Sequence, residues 1–341
     1  MRFELSDDQR EVKDAARSVL VALSSPETRR AAANGQPAEE LWSELRDLGW
    51  PGIAIPVAYG GEGMGLVEVA AVFEELGYAC APTPMLGTVT AAMVVAHAGT
   101  AGQRERWLPG LAGGKILGAF GITDTRMPEL IADADRADVI IAIDETGQKA
   151  VVVDRVHAGI RPIEVVDSLR GYAYAGPQSD EPLDGDASGA MDRALVVVAA
   201  ELVGICQASL DLTVAYAKER EQFGAPIGSF QAVGHTAAEM LRHTECARSA
   251  VYYAAWAAEH NPGELPLAAS MAKAAASDAG RAVTAAAVQM HGAYGFSWEA
   301  EVHWYYARAV MDAQLFGDAA FHRARIAKLV ADGRNPACPN P

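Results

Sequence analysis

Apolar residues recur at helical spacing over most of the chain and give way to short β-like runs only near its middle. Ser6 precedes DDQREVKDAARSVLVAL, whose first turn carries acids where a helix dipole favours them, so the spacing predicts a helix capped by Ser6. In EELWSELRDLGW the residues Leu41, Trp42, Leu45 and Leu48 fall on one face, and Gly49 offers a stop. A glycine-rich turn, IAIPVAYGGEGMG, leads into a helix over LVEVAAVFEELGYACAP, and another is predicted over QRERWLPGLAGG. From Ile116 to about Asp192 the runs ILGAFGIT, ADVIIAI, KAVVV and IRPIEVV read as strands, parted by turn-forming DETGQ and DRVHAG. Gly176 to Asp192, acidic and rich in Gly, Pro and Ser, reads as an exposed connector. Beyond Arg193, long alanine-rich helices carry small residues on several faces, as a bundle requires. The predicted fold is mostly α with a small β domain: an N-terminal helical domain (1–118), a reduced middle β domain (119–190), a C-terminal four-helix bundle (191–333) and a tail (334–341).

Composition narrows the function classes. The 341 residues include 28 basic and 44 acidic side chains, a net charge of −16, which repels phosphate backbones and argues against nucleic-acid binding. Half the residues are hydrophobic and 21% are charged, ordinary for a globular protein. Cys80, Cys206, Cys246 and Cys338 lie far apart with no C-x-x-C pair, so neither a disulfide scaffold nor a zinc site is expected. Leu76 to Gln103 lacks Asp, Glu, Lys and Arg, but Pro82, Pro84 and Gly87 interrupt it. It reads as buried helix and loop rather than as a membrane span. With no apolar signal core at its start, the chain is expected to be soluble and cytoplasmic.

No dinucleotide-binding glycine fingerprint, Walker loop, H-E-x-x-H or G-x-S-x-G is present, and Gly60 to Gly65 reads as a turn between helices. His235, His243, His291 and His303 form no metal clamp with a carboxylate. Two segments hold the candidate chemistry. In REQFGAPIGSFQ, Arg220 ends a long helix, Phe223 and the glycine turn follow, and Gln231 opens the next helix. An arginine there can grip a phosphate with two parallel donors, or simply match the helix dipole. In QMHGAYGF, Gln289 ends a helix and a Gly-x-x-Gly turn follows, so backbone amides can approach an anion, or the turn is a plain helix stop.

Taken together, the Arg-x-x-Phe-Gly turn with Gln231 eleven residues after Arg220, and the Gln-x-His-Gly-x-x-Gly turn some sixty residues later, resemble the acyl-CoA dehydrogenase family. LGWPGIAIPVAYGGEGMGLVEVAAVFEELG and RERWLPGLAGGKILGAFGITD extend the resemblance over nearly the whole chain, in family order. It implies an FAD-dependent enzyme that oxidises an acyl-CoA thioester to its trans-2-enoyl form. It also implies electron transfer to a flavoprotein carrier and a homo- or hetero-oligomer built as a dimer of dimers. Arg220, Phe223 and Gln231 would contact the cofactor, Gln289, His291 and Gly292 would grip it from the neighbouring subunit, and Thr123 of the middle domain matches the family as well.

The sequence departs from the family at the base. Phe316 of Leu315-Phe316-Gly317-Asp318 stands at the position of the family's glutamate, and Ala194 stands at the alternative position early in the bundle, with Asp192 and Glu201 nearby. The middle domain keeps Thr123 and Asp124 but lacks the Gly-Ala-Gly-Ser-Asp loop and the Trp-Ile-Thr run. Asp318 is therefore the candidate base or the cap of the helix beginning near Ala319. Alternatively the chain is the base-less partner in a mixed assembly, as in actinobacterial members acting on steroid side-chain thioesters. Small residues such as Ala237 and Ala238 leave room for a bulky acyl group or serve tight packing.

Overall fold

The Ser6 hydroxyl accepts a hydrogen bond from the Gln9 amide at 3.2 Å, and the Gln9 side chain accepts one from the Ser6 amide at 2.9 Å. This reciprocal cap starts α1 (Asp7–Leu23) where the spacing predicts it. The computed structural model describes residues 5–123, 130–144, 147–175 and 181–333. The helices that follow are α2 (Pro26–Ala33), α3 (Glu39–Asp47), α4 (Leu66–Tyr78), α5 (Met85–Ala98) and α6 (Ala101–Ala112). After the strands come α7 (Ser188–Glu219), α8 (Gln231–His260), α9 (Leu265–His291), α10 (Val302–Gln314) and α11 (Ala319–Ala331). The strands are β1 (Gly118–Thr123), β2 (Leu130–Ala132), β3 (Val139–Asp144), β4 (Ala150–Asp154), β5 (Arg161–Pro162), β6 (Tyr172–Tyr174) and β7 (Glu181–Pro182), with the pair β8 (Glu221–Gln222) and β9 (Ala225–Pro226) between α7 and α8. The chain is mostly helical with a small β domain, as the sequence predicts.

The residues sort into two compact units. One comprises Glu27–Val69 and Pro82–Val197. Its first sheet has the order β1-β3-β4-β7, with β1 and β3 parallel and the other pairs antiparallel, and its second is the antiparallel β2-β6-β5. Ala119, Ile131, Ile140, Val153 and Ala173 join in one buried cluster, and small residues bring the layers close: a Cβ at Gly121 would stand 2.5 Å from Ile131. Three strands of this unit, β2, β6 and β7, were not predicted, because runs of two or three residues carry no periodicity of their own and depend on tertiary partners.

Two further expectations are corrected here. Leu48 is 41% exposed while Leu41 and Leu45 are buried, because α3 ends at Asp47 and the left-handed Gly49 (φ +74°) redirects the chain. The connector expected through Asp192 ends earlier, because α7 begins at Ser188. Both carboxylate oxygens of Asp186 are engaged there, one by the Ser188 amide and one by its hydroxyl, each at 2.9 Å, so the polar stretch is in part a helix start. Residues 176–180 and the tail 334–341 lie outside the described residues.

The other unit comprises Met1–Pro26, Ala70–Ala81 and Val198–Pro341. Its centre is α9, against which α8, α10 and α11 pack. Helix α8 buries a stripe through Met240, Thr244, Ala247, Val251, Ala254 and Ala258, spaced by three and four, and leaves its other faces exposed. Glycines set the closest crossing: a Cβ at Gly77 would stand 2.0 Å from the Glu201 carbonyl oxygen, and one at Gly204 would stand 1.8 Å from that of Glu74. Charges are buried here in pairs. Glu201 and Arg308, 2% and 0% exposed, meet at 3.1 Å, and Glu74 is held by Lys13 at 2.7 Å, Arg248 at 3.0 Å and the Tyr252 hydroxyl at 2.7 Å. Among the described residues α7 alone is long and apolar enough to cross a membrane, and 83% of its apolar window is buried in the fold.

Candidate functional site

Tyr216 and Arg220 lie four residues apart at the end of α7 and so share a face. The helix is closed by the Arg220 amide, which donates to the Tyr216 carbonyl at 2.8 Å, and the chain then doubles back through β8 and β9. The two residues of that hairpin turn, Phe223 and Gly224, both have positive φ, +54° and +78°, as a turn matching the right-handed twist of its strands requires. After the hairpin, the Ile227 amide donates to the Arg220 carbonyl at 2.7 Å, which anchors the arginine from both sides.

The second segment follows α9. Gly292 adopts φ +61° and ψ −142°, a conformation closed to residues with a side chain, and its amide closes on the Gln289 carbonyl. At Gly295 a Cβ would stand 2.6 Å from the Val288 carbonyl oxygen, so both glycines of the Gly-x-x-Gly turn are needed, one for conformation and one for space. His291 is buried at the helix end, where its Nδ1 donates to the Ala287 carbonyl at 2.8 Å. Burial pushes its pKa below the ordinary histidine value, which keeps the ring neutral. The ring stacks on Tyr216 at 4.4 Å between centroids, and Tyr216 stacks in turn on Tyr294 at 5.9 Å.

These two segments face one another. Arg220, Gln222, Gln289, His291, Gly292 and the two tyrosines line a single cavity of about 520 Å³, of a size that holds a small molecule. Among the described residues no carboxylate lines it, so its one charge is the Arg220 guanidinium. In a chain of net charge −16 this makes a local site for an anion beside a flat aromatic surface. Within this chain both segments line the one cavity, whereas the sequence reading assigned their grip on a cofactor to two polypeptides. Phe223 and Gln231 do not line the cavity: Phe223 is 95% exposed, with its ring edge-on to Phe230 at 6.1 Å, and Gln231 is exposed at the start of α8. Thr123 ends β1, opposite Asp144 of β3, and Asp124 lies outside the described residues. Sequence reasoning missed Tyr216, Gln222 and Tyr294. The four-residue step from Tyr216 to Arg220 was the available signal.

The Leu315–Asp318 bend lies between α10 and α11. Phe316 is buried and left-handed at φ +59°, and Gly317 follows at φ +100°. The Asp318 carboxylate accepts the Phe321 amide at 2.8 Å and caps α11. Of the other carboxylates considered, Glu201 is held by Arg308 and Asp192 is buried, while Ala194 is wholly buried.

Comparisons with known proteins agree with this picture. Residues 6–115 match the family model "Acyl-CoA dehydrogenase, N-terminal domain" and residues 186–331 match "Acyl-CoA dehydrogenase, C-terminal domain". The chain is 35% identical over 333 residues to acyl-CoA dehydrogenase IpdE2 of Mycolicibacterium smegmatis, covering 96% of this chain and 99% of that one. Among solved structures, the steroid acyl-CoA dehydrogenase Tcur3481-Tcur3483 superposes with a TM-score of 0.85 at 27% identity, covering 96% of this chain and 98% of that one. A glutaryl-coenzyme A dehydrogenase in complex with glutaryl-CoA superposes equally well, with a TM-score of 0.85 at 26% identity, covering 100% and 99%. With both terminal domains matched and a relative aligned end to end, the chain belongs to the acyl-CoA dehydrogenase family.

Proposed function

We propose that this chain binds FAD in the cavity between the end of α7 and the end of α9, and serves as the flavin-bearing subunit of an enzyme that dehydrogenates an acyl-CoA thioester at its α and β carbons. The observation that carries the proposal is the convergence of Arg220, Gln289, His291 and Gly292, from two motifs some seventy residues apart, on one cavity. Its donor set fits a dinucleotide. The Arg220 fork suits a pyrophosphate, Gln289 and the amides at the Gly292 bend offer neutral donors, and Tyr216 and Tyr294 present ring faces to a flat heterocycle. Bound flavin would supply the acceptor for the β-hydrogen and its electron pair, and the electrons would then pass to an electron-transfer flavoprotein. The protein must hold the thioester, exclude water and present a carboxylate to the α-proton. Phe223 and Gln231 are exposed beyond the cavity, and on this reading they would meet a cofactor held by a second subunit of a homo- or hetero-oligomer.

Two sources of the base follow from the bend. Asp318 is the carboxylate that this chain offers there, while Phe316 at the family's glutamate position and the capping bond of Asp318 favour a companion chain that brings its own. The pair of names given to the steroid enzyme Tcur3481-Tcur3483 supports that second reading, and a bulky thioester as substrate. The visible spectrum of the purified protein tests the proposal. A yellow protein bleached by an acyl-CoA is the expected result, and a protein that takes up no flavin either alone or with a companion overturns it. If Asp318→Asn bleaches at the wild-type rate, the base comes from elsewhere.

A further inference from the structure

The bend between α10 and α11 is held by more donors than a helix break needs. Its Phe316 holds a left-handed backbone that favours glycine, so something must over-determine it. Lys273, on α9 and 0% exposed, donates from Nζ to the Gly317 carbonyl at 3.0 Å, the Ala313 carbonyl at 3.1 Å and the Ser277 hydroxyl at 3.0 Å. His322, on α11 and 1% exposed, meets the Phe316 carbonyl at 3.1 Å. A carbonyl only accepts, so the histidine carries its proton on Nε2. The carbonyls of residues 313, 316 and 317 thus each take a donor from a buried titratable side chain. Gly317 adds a steric stop, because a Cβ there would stand 2.5 Å from the Phe321 ring.

Asp312, fully buried on α10, and Asp318 supply the negative charge that keeps an ammonium in this place. Burial still pushes Lys273 down to about 8, and burial together with the nearby ammonium pushes His322 down to about 4. Burying an ammonium carries a desolvation penalty that an apolar side chain at 273 would not, so filling the space alone does not call for lysine. What lysine adds is fixation of one bend from two sides.

We propose that Lys273 and His322 are positioning residues for the acyl-CoA reaction: by fixing the carbonyls of 313, 316 and 317 they hold positions 316 and 318 in one place for the thioester. This rests on the reading of the bend as the reacting end of the site. The clamp acts through the backbone, so it serves whichever side chain stands at 316, a glutamate in the family pattern or phenylalanine here.

The test uses the full chain carrying its flavin. His322→Leu removes the donor and His322→Gln keeps an amide donor in its place, with Lys273→Met as a harsher second variant. Amide hydrogen exchange of segment 313–320, flavin content, and the change in flavin absorption on titration with acetoacetyl-CoA are measured for each. The expected result is exchange at least tenfold faster across the bend in His322→Leu, a dissociation constant for the probe at least fivefold weaker at unchanged flavin content, and recovery of both to within twofold in His322→Gln. Unchanged exchange in both His322→Leu and Lys273→Met overturns the clamp. Faster exchange with unaltered probe affinity shows a merely structural role and overturns the positioning. A wild-type flavin spectrum indifferent to the probe removes the acyl-site reading and the positioning role with it, while the contrast in exchange between the two histidine variants still decides whether the clamp exists.

Discussion

The cavity at the end of α7 and the bend before α11 belong to the same unit of the molecule, yet they have been treated very differently. In and beside the cavity the motif residues are present, and the backbone is unusual only where glycine permits it, at Gly224 and Gly292, or where the neighbouring hairpin demands it, at Phe223. In the bend Phe316 stands where the resemblance implies a glutamate, and its left-handed backbone is held from behind by buried Lys273 and His322. On the proposed reading, binding machinery and chemical machinery are separable: a chain can keep the groups that would hold a cofactor while the position that would do the chemistry is rewritten on an intact frame.

Changing pH sharpens this contrast most. In the fold His322 titrates near 4, against 6.5 for the ordinary side chain. The unfolded chain therefore takes up the proton first on acidification. The contribution of neutral His322 is fully present above pH 6.5 and is lost as pH falls toward 4, an effect of up to about 3 kcal/mol. Thermal melts at pH 7 and pH 4.5 should show this loss in the wild type and a flatter response in His322→Gln. Next in size is Arg220→Ala, expected to weaken flavin binding by about 10- to 100-fold, the scale of charge-assisted hydrogen bonds, with the flavin-free protein changed by less than about 0.5 kcal/mol because the side chain is exposed. Equilibrium dialysis against FAD and a denaturant melt check both halves. Gly292→Ala places a methyl on a backbone at φ +61°, ψ −142°, and should cost about 1–2 kcal/mol in a denaturant melt, although nothing lies within 4 Å of the new atom. The smallest effect is at the cap: Asp318→Ala should lose about 1 kcal/mol and Asp318→Asn much less, because asparagine caps nearly as well. Wild-type flavin bleaching in Asp318→Asn would leave Asp318 as the cap alone, whereas bleaching lost in both variants would make its carboxylate the base.

Much of this comparison was legible before any coordinates. The Ser6 cap, the opening of α8 at Gln231 and the cap at Asp318 are local arrangements written in adjacent residues, and each stands where the sequence places it. Arg220 and the Gly292 turn were recognisable as motifs, but their meeting on one chain was not, because spacing along the sequence says nothing about which helix ends converge. The clamp was invisible for a different reason. Periodicity assigns charges to the solvent side, so nothing in the alanine-rich helix marked Lys273 as buried, and Glu201 with Arg308 gave no sign of being partners 107 positions apart. A buried charge is recognisable only once its counter-charge is in place.

The pair Gly77 and Gly204 carries a consequence for how this lineage can change. With carbonyl oxygens 2.0 and 1.8 Å from where a methyl group would sit, α4 and α7 touch main chain to main chain, and even alanine would wedge them apart. A saturation library at these two sites should return almost nothing but the parental residue. Neutral drift is closed off there, and novelty must enter through loops and exposed helix faces that no neighbour has claimed.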